Sequence, residues 1–135
     1  MQKETLNPPD LFPSRQYGFS QIVATQGGKT VYFSGQVAWN AEQEIVGPGD
    51  LRQQVWQSLE NVATAVQAAG GTLANIVSMR IYIVADKLSE SQAVSEGLRA
   101  FFPGDNPPTT TWIGVPALAN EGFLIEIEPI AVIEI

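Results

Sequence analysis

The chain contains no cysteine and no histidine. The first absence excludes disulfides, thiolate metal sites and cysteine nucleophiles. The second removes the commonest general base, the commonest metal-binding nitrogen and every histidine-dependent triad. Any chemistry therefore falls to carboxylates, hydroxyls and backbone groups, no acidic stretch has the spacing of a calcium loop, and neither metal nor cofactor is expected. Positive charge is also scarce: seven Lys and Arg stand against fourteen Asp and Glu, for a net charge of -7. Nucleic-acid binders neutralise phosphates with clustered cations, and these few are scattered, so a polyanionic partner is not expected. No apolar run approaches the roughly 20 residues that span a bilayer, and the N-terminal residues lack the apolar stretch of a signal peptide. No membrane association and a cytoplasmic location are the resulting expectations.

What is present is the composition of one ordinary globular domain: 135 residues, 44% hydrophobic and 16% charged, enough for one core and too short for two. A single domain over residues 1–135 is expected, with 1–16 an extended N-terminal segment whose first residues lie outside the fold. Gly18 to Thr25 and Thr30 to Ser34 read as strands that the Gly27-Gly28 turn joins into a hairpin. Leu51, Val55, Leu59, Val62, Val66 and Ala69 recur at spacings of three and four, which predicts an amphipathic helix. Asp50 with Gln53 caps its start, and Gly70-Gly71 ends it.

Ile76 to Val84 alternates Met79, Ile81 and Ile83 with Ser78, Arg80 and Tyr82, the period of a strand. A second helix is predicted from a capping box at Ser89 and Gln92, through Val94, Leu98, Phe101 and Phe102, to Pro103-Gly104. Thr109 to Val115 and Phe123 to Ile135 supply two more strands, with Pro129 marking an edge or a bulge in the last. The order β-β-α-β-α-β-β predicts an α/β (α+β) domain with a mixed sheet and both helices on one face. The other face would carry Tyr32, Leu124, Ile130 and Val132. That apolar surface suits another subunit better than water.

Four pieces in order carry a family resemblance: Phe33-Ser34-Gly35-Gln36-Val37, Ser58-Leu59-Glu60-Asn61-Val62 running on to Ala68-Ala69-Gly70-Gly71, Ile76-Val77 with Arg80-Ile81-Tyr82-Ile83, and Ile125-Glu126-Ile127-Glu128-Pro129-Ile130-Ala131. From about Tyr17 to Ile133 the chain resembles the Rid/YjgF family, also described as endoribonuclease L-PSP. The resemblance implies a chorismate-mutase-like fold, a homotrimer, and ligand pockets in the clefts between subunits. In active members an arginine on the penultimate strand clamps the carboxylate of a 2-imino or 2-enamino acid, and a glutamate on the last strand orients the hydrolytic water.

The glutamate corresponds to Glu126, the one candidate catalytic residue, and Ser34 and Gly35 match a loop that lines the pocket. The arginine has no counterpart. Alignment on Pro108 puts Thr110 in its place, and no Lys or Arg follows Arg99 in any register. Phe19 replaces a family tyrosine and Ser95 a family asparagine, so the candidate ligand-binding set is Phe19, Ser34, Gly35, Ser95, Thr110, Thr111 and Trp112. A hydrogen bond to a charged group contributes about 1.5–3 kcal/mol, and a bidentate clamp makes two. Losing it implies roughly two to four orders of magnitude in handling a carboxylate, at about 1.4 kcal/mol per tenfold.

The function expected is therefore binding of a small, neutral or weakly polar metabolite without 2-imino acid deaminase activity. The alternative is a hydrolase or deaminase acting on a different imine, enamine or amide, with Glu126 positioning water. A ribonuclease role fits the acidity and the missing histidine least. Arg80 could approach a ligand from another direction, but a strand arginine more often pairs with a carboxylate across strands.

Overall fold

A computed structural model describes residues 1–135. The chain forms β1 (Gln2–Leu6), β2 (Ile22–Gln26), β3 (Lys29–Tyr32), α1 (Leu51–Ala68), β4 (Ile76–Val84), α2 (Gln92–Phe101), β5 (Thr109–Val115) and β6 (Ile125–Ile133). The main sheet has the order β3-β6-β4-β5, in which β4 and β5 run parallel and β6 is antiparallel to both β3 and β4. Antiparallel strands can be joined by tight turns, whereas parallel ones need a crossover. Helix α2 provides it between β4 and β5, and α1 connects β3 to β4.

The N-terminal residues are not loose. Strand β1 pairs with β2 from Gln2 opposite Gln26 to Leu6 opposite Ile22, as a separate two-stranded sheet. Its α-amino group is 2.8 Å from Glu134 at the other end of the chain. The expected β2–β3 hairpin is absent for the same reason. Each strand finds a different partner: β2 takes β1, and β3 takes the long β6, opposite Ile130–Ile133. Gly27 and Gly28, at φ of 79° and 80°, turn the chain from one sheet to the other.

The core is one cluster between the helices and one sheet face. Leu51, Val55, Leu59, Val62 and Val66 of α1 meet Val94, Leu98 and Phe102, and both sets cover Met79, Ile81, Ile83, Ile125, Ile127 and Ala131. Burying an aliphatic side chain contributes on the order of 2 kcal/mol, which is why the spacing of three and four in α1 decides which way it faces. Asp50 caps α1 by accepting from the Gln53 amide at 3.0 Å, and the Gly71 amide closes the far end on the Val66 carbonyl at 2.9 Å.

The start of α2 differs from expectation. Residues Ala85–Glu90 form a 3-10 turn, and the helix begins at Gln92 after Ser91, which makes no side-chain cap. Ser91 is itself helical (φ -61°, ψ -13°), so the turn runs on into the helix and no capping box at Ser89 is needed. Pro129 lies in a central strand, opposite Met79, but β3 pairs with β6 only as far as Ile130, so on that side the strand is locally an edge and the missing N–H leaves no ladder bond unmade. A register shift lies on β4 between Ile76 and Ser78.

The open sheet face is only partly as expected. Tyr32 is 77% exposed and Ile130 lies opposite it. Leu124 packs against the core instead, because it precedes β6 and its amide donates to Gln54 at 2.9 Å. Val132 is 4% exposed, being covered where Gly28 and Met1 close over it.

Candidate functional site

Strand alternation sorts the candidate residues before any contact is considered. Residues opposite one another in a sheet share a face. Thr110 lies beside Met79 and Trp112 beside Ile81, both core residues, so Thr110 and Trp112 belong to the helix side. Thr111 lies beside Arg80 on the opposite side.

The helix-side candidates gather around Trp112. Its indole N–H donates to the Thr110 hydroxyl at 2.9 Å, and its ring lies 6.0 Å from Phe19 at 58°. Buried Ser14 donates its hydroxyl to the Phe19 carbonyl at 2.8 Å, and the next amide, Ser20, donates to Pro108 at 3.0 Å. These bonds hold Phe19 against the start of β5. Gly18, at φ 97°, brings this segment onto α2. A Cβ there would stand 2.6 Å from that of Leu98 and 3.3 Å from the Ser95 carbonyl. Ser95 is 5% exposed on that helix. The cluster offers aromatic walls and a Thr110 hydroxyl that still has its proton to donate. It contains no charged group.

The second cluster lies on the other face. Glu126 is half-buried on β6 opposite Tyr82, and its carboxylate rests on Gly35 so closely that a Cβ there would overlap it. Residues 34–36 are tied to β6 by reciprocal bonds, the Gln36 amide to the Ile127 carbonyl at 2.7 Å and the Ile127 amide to Gln36 at 2.9 Å. Ser34 is exposed, and its carbonyl accepts from the Gln36 side chain at 3.1 Å. Arg80 pairs across strands with Glu128 at 3.5 Å, with 66% and 40% of their side chains exposed.

The two clusters do not meet within one chain. Strand β4 separates β5 from β6, Thr110 and Glu126 occupy opposite sheet faces, and their partners on β4 are Met79 and Tyr82, three residues apart. No group of three or more His, Cys, Asp or Glu is placed to hold a metal. One recess of about 540 Å³ borders the first cluster at Pro108, a second of the same size lies along α1, and one of about 430 Å³ opens at Gly35 beside the second cluster.

Two polar residues that hold the site were not singled out by pattern. Asn61 on α1 donates to the carbonyls of Val37 and Trp39, both at 2.8 Å, and fixes the loop that carries Gly35. Gln54, fully buried, donates to the carbonyls of Gly47 and Gly122 and accepts from Leu124, joining two loops to the start of β6. The available signal was an amide side chain interrupting the buried stripe of an amphipathic helix.

Comparison with known proteins adds a family. A profile described as Endoribonuclease L-PSP matches residues 12–133. A Dermatophagoides farinae protein named 2-iminobutanoate/2-iminopropanoate deaminase is 32% identical over 98% of each chain. Among solved structures, the Rid-family protein YyfB of Yersinia pestis, described as of unknown function, superposes with a TM-score of 0.93 at 39% identity, covering 98% of this chain and 100% of its own. Escherichia coli TdcF with bound serine gives 0.68 at 31% identity, covering 87% and 94%.

Proposed function

Since the chain belongs to the endoribonuclease L-PSP family, the family of the Rid proteins, we propose that it is a homotrimer binding a small neutral or weakly polar metabolite in clefts between subunits, without 2-imino acid deaminase activity. One observation carries this reading. No Lys or Arg follows Arg99, and Thr110, which this reading takes as the counterpart of the family arginine, has its hydroxyl engaged by Trp112.

An aromatic wall with one hydroxyl donor suits a ligand with an apolar body and an acceptor, and it leaves a carboxylate without a counterion. The placement of Thr110 and Glu126 on opposite faces supports a site completed by a second copy, with Phe19, Ser95, Thr110 and Trp112 from one subunit and Ser34, Gly35 and Glu126 from the next. Thr111 falls on the Glu126 side. Serine in the TdcF structure supports a small-molecule ligand.

A second reading rests on Glu126 and on the deaminase relative. A carboxylate held against a glycine backbone can orient a water, so hydrolysis of a neutral imine, enamine or amide remains open to this geometry. Ammonia release from 2-iminopropionate and from a panel of neutral imines tests both. The expected result is no acceleration with 2-iminopropionate. Turnover equal to that of an arginine-bearing relative would overturn the first reading, and turnover of a neutral imine that is lost in Glu126→Gln would establish the second.

A further inference from the structure

One of the two recesses of about 540 Å³ opens within a single protomer, between β1, the start of β4 and the segment joining α2 to β5. That volume is usual for a small-molecule site. Its walls are largely apolar, with Leu73, Ile76, Phe101, Phe102 and Pro107 among them. A single cation stands on it. Lys3 and Thr5, two residues apart on β1, both line the recess.

The Lys3 ammonium donates to the Ala74 carbonyl at 2.9 Å. Arg15, Arg52, Arg80 and Lys87 each have a carboxylate partner, whereas Lys3, like Lys29 and Arg99, has none, and of these three only Lys3 stands on the recess. The one acidic residue on the recess, Asp105, turns to Arg15 at 3.7 Å and is 91% exposed. An ammonium has three donors, so two are left after Ala74. Burial lowers the Lys3 pKa below its ordinary 10.5, the sign of a cation desolvated without a counterion.

We propose that this recess is a second ligand site that takes a small monocarboxylate with an apolar tail, the carboxylate on Lys3 and the tail against Leu73, Phe101 and Phe102. A cationic ligand would meet Lys3 itself. A neutral one would leave the ammonium unpaired, and a dianion would find one cation beside Asp105. The site lies inside one chain and does not depend on the intersubunit reading.

The test is calorimetric titration of the intact protein with 4-phenylbutyrate and with its uncharged amide, repeated on Lys3→Gln, Lys3→Arg and Thr110→Trp. A charge-assisted hydrogen bond corresponds to about a tenfold to hundredfold change in affinity. The expected result is one saturable site per chain for the acid. The amide should bind at least about tenfold more weakly by the same measure, Lys3→Gln should lose as much, and Lys3→Arg should retain binding. Thr110→Trp, which fills the other cluster, should leave it unchanged. No saturable binding at millimolar acid, equal affinity for acid and amide, or loss in Thr110→Trp alone overturns the proposal. The acid-against-amide comparison holds on the unmodified chain even if Lys3→Gln fails to fold.

Discussion

Thr110 is where a single side chain decides the chemistry. Thr110→Arg would place a guanidinium on the Trp112 wall, adding up to two charge-assisted hydrogen bonds to a carboxylate, about 3 kcal/mol with good geometry. In the Lys3→Gln background, which removes the carboxylate site proposed beside β1, we expect measurable pyruvate or 2-ketobutyrate affinity where the same chain without Thr110→Arg has none, with modest destabilisation from a cation at a partly apolar site. Calorimetry at millimolar keto acid checks it, and silence from a correctly assembled variant would show that Thr110 does not occupy the clamp position. Gln54 is the structural counterpart. Its amide satisfies two carbonyls and one N–H in the interior. Gln54→Leu keeps the volume but strands all three groups, at about 1 kcal/mol or more each. A loss of about 3 kcal/mol in urea unfolding at fixed protein concentration is the expected outcome.

At the scale of elements, the loop from Ser34 to Asn40 has little sheet of its own and is held by α1. Asn61→Ala removes its bonds to Val37 and Trp39, about 1 kcal/mol each. Amide exchange at Gln36 and Ile127, which bond each other across the loop, should quicken while the α1 core amides stay protected. Equal acceleration throughout would mean a global loss of stability and not a loosened loop. The helix itself depends on its cap. Asp50→Ala should destabilise by about 1 kcal/mol, with Asp50→Asn recovering most of it, because only an acceptor at that position satisfies the Gln53 amide.

For the whole molecule, the open sheet face sets the expectation of assembly. Tyr32, Tyr82, Ile113 and Ile130 share it with the Arg80–Glu128 pair. Light scattering should report three times the 14.6 kDa chain mass, and Ile130→Glu should yield a smaller species by burying an unpaired charge. Each copy brings a net charge of -7, so association should strengthen as salt screens the repulsion over a Debye length of about 10 Å at 0.1 M. A monomer under all these conditions would remove the shared cleft, because Thr110 and Glu126 cannot meet within one chain.

By itself the sequence determined what depends on local periodicity. The stripe from Leu51 to Val66 could bury only one face, the alternation at Met79, Ile81 and Ile83 could belong only to a strand, and Asp50 and Gly70-Gly71 set the limits of α1. It also determined an absence, since no register of the last two strands contains a cation. Choices between partners were decided only in the tertiary structure. β2 left β3 for β1 because pairing depends on which edge is free, and nothing local marks that. Pro129 entered a central strand just beyond the end of β3, whose pairing stops at Ile130, so no neighbour needs the N–H it lacks. Thr110 and Thr111, adjacent in sequence, went to opposite faces, and Lys3 came to line a recess where the carbonyl of Ala74, 71 residues on, holds it. Such contacts join distant segments, and packing fixes them where short-range pattern does not.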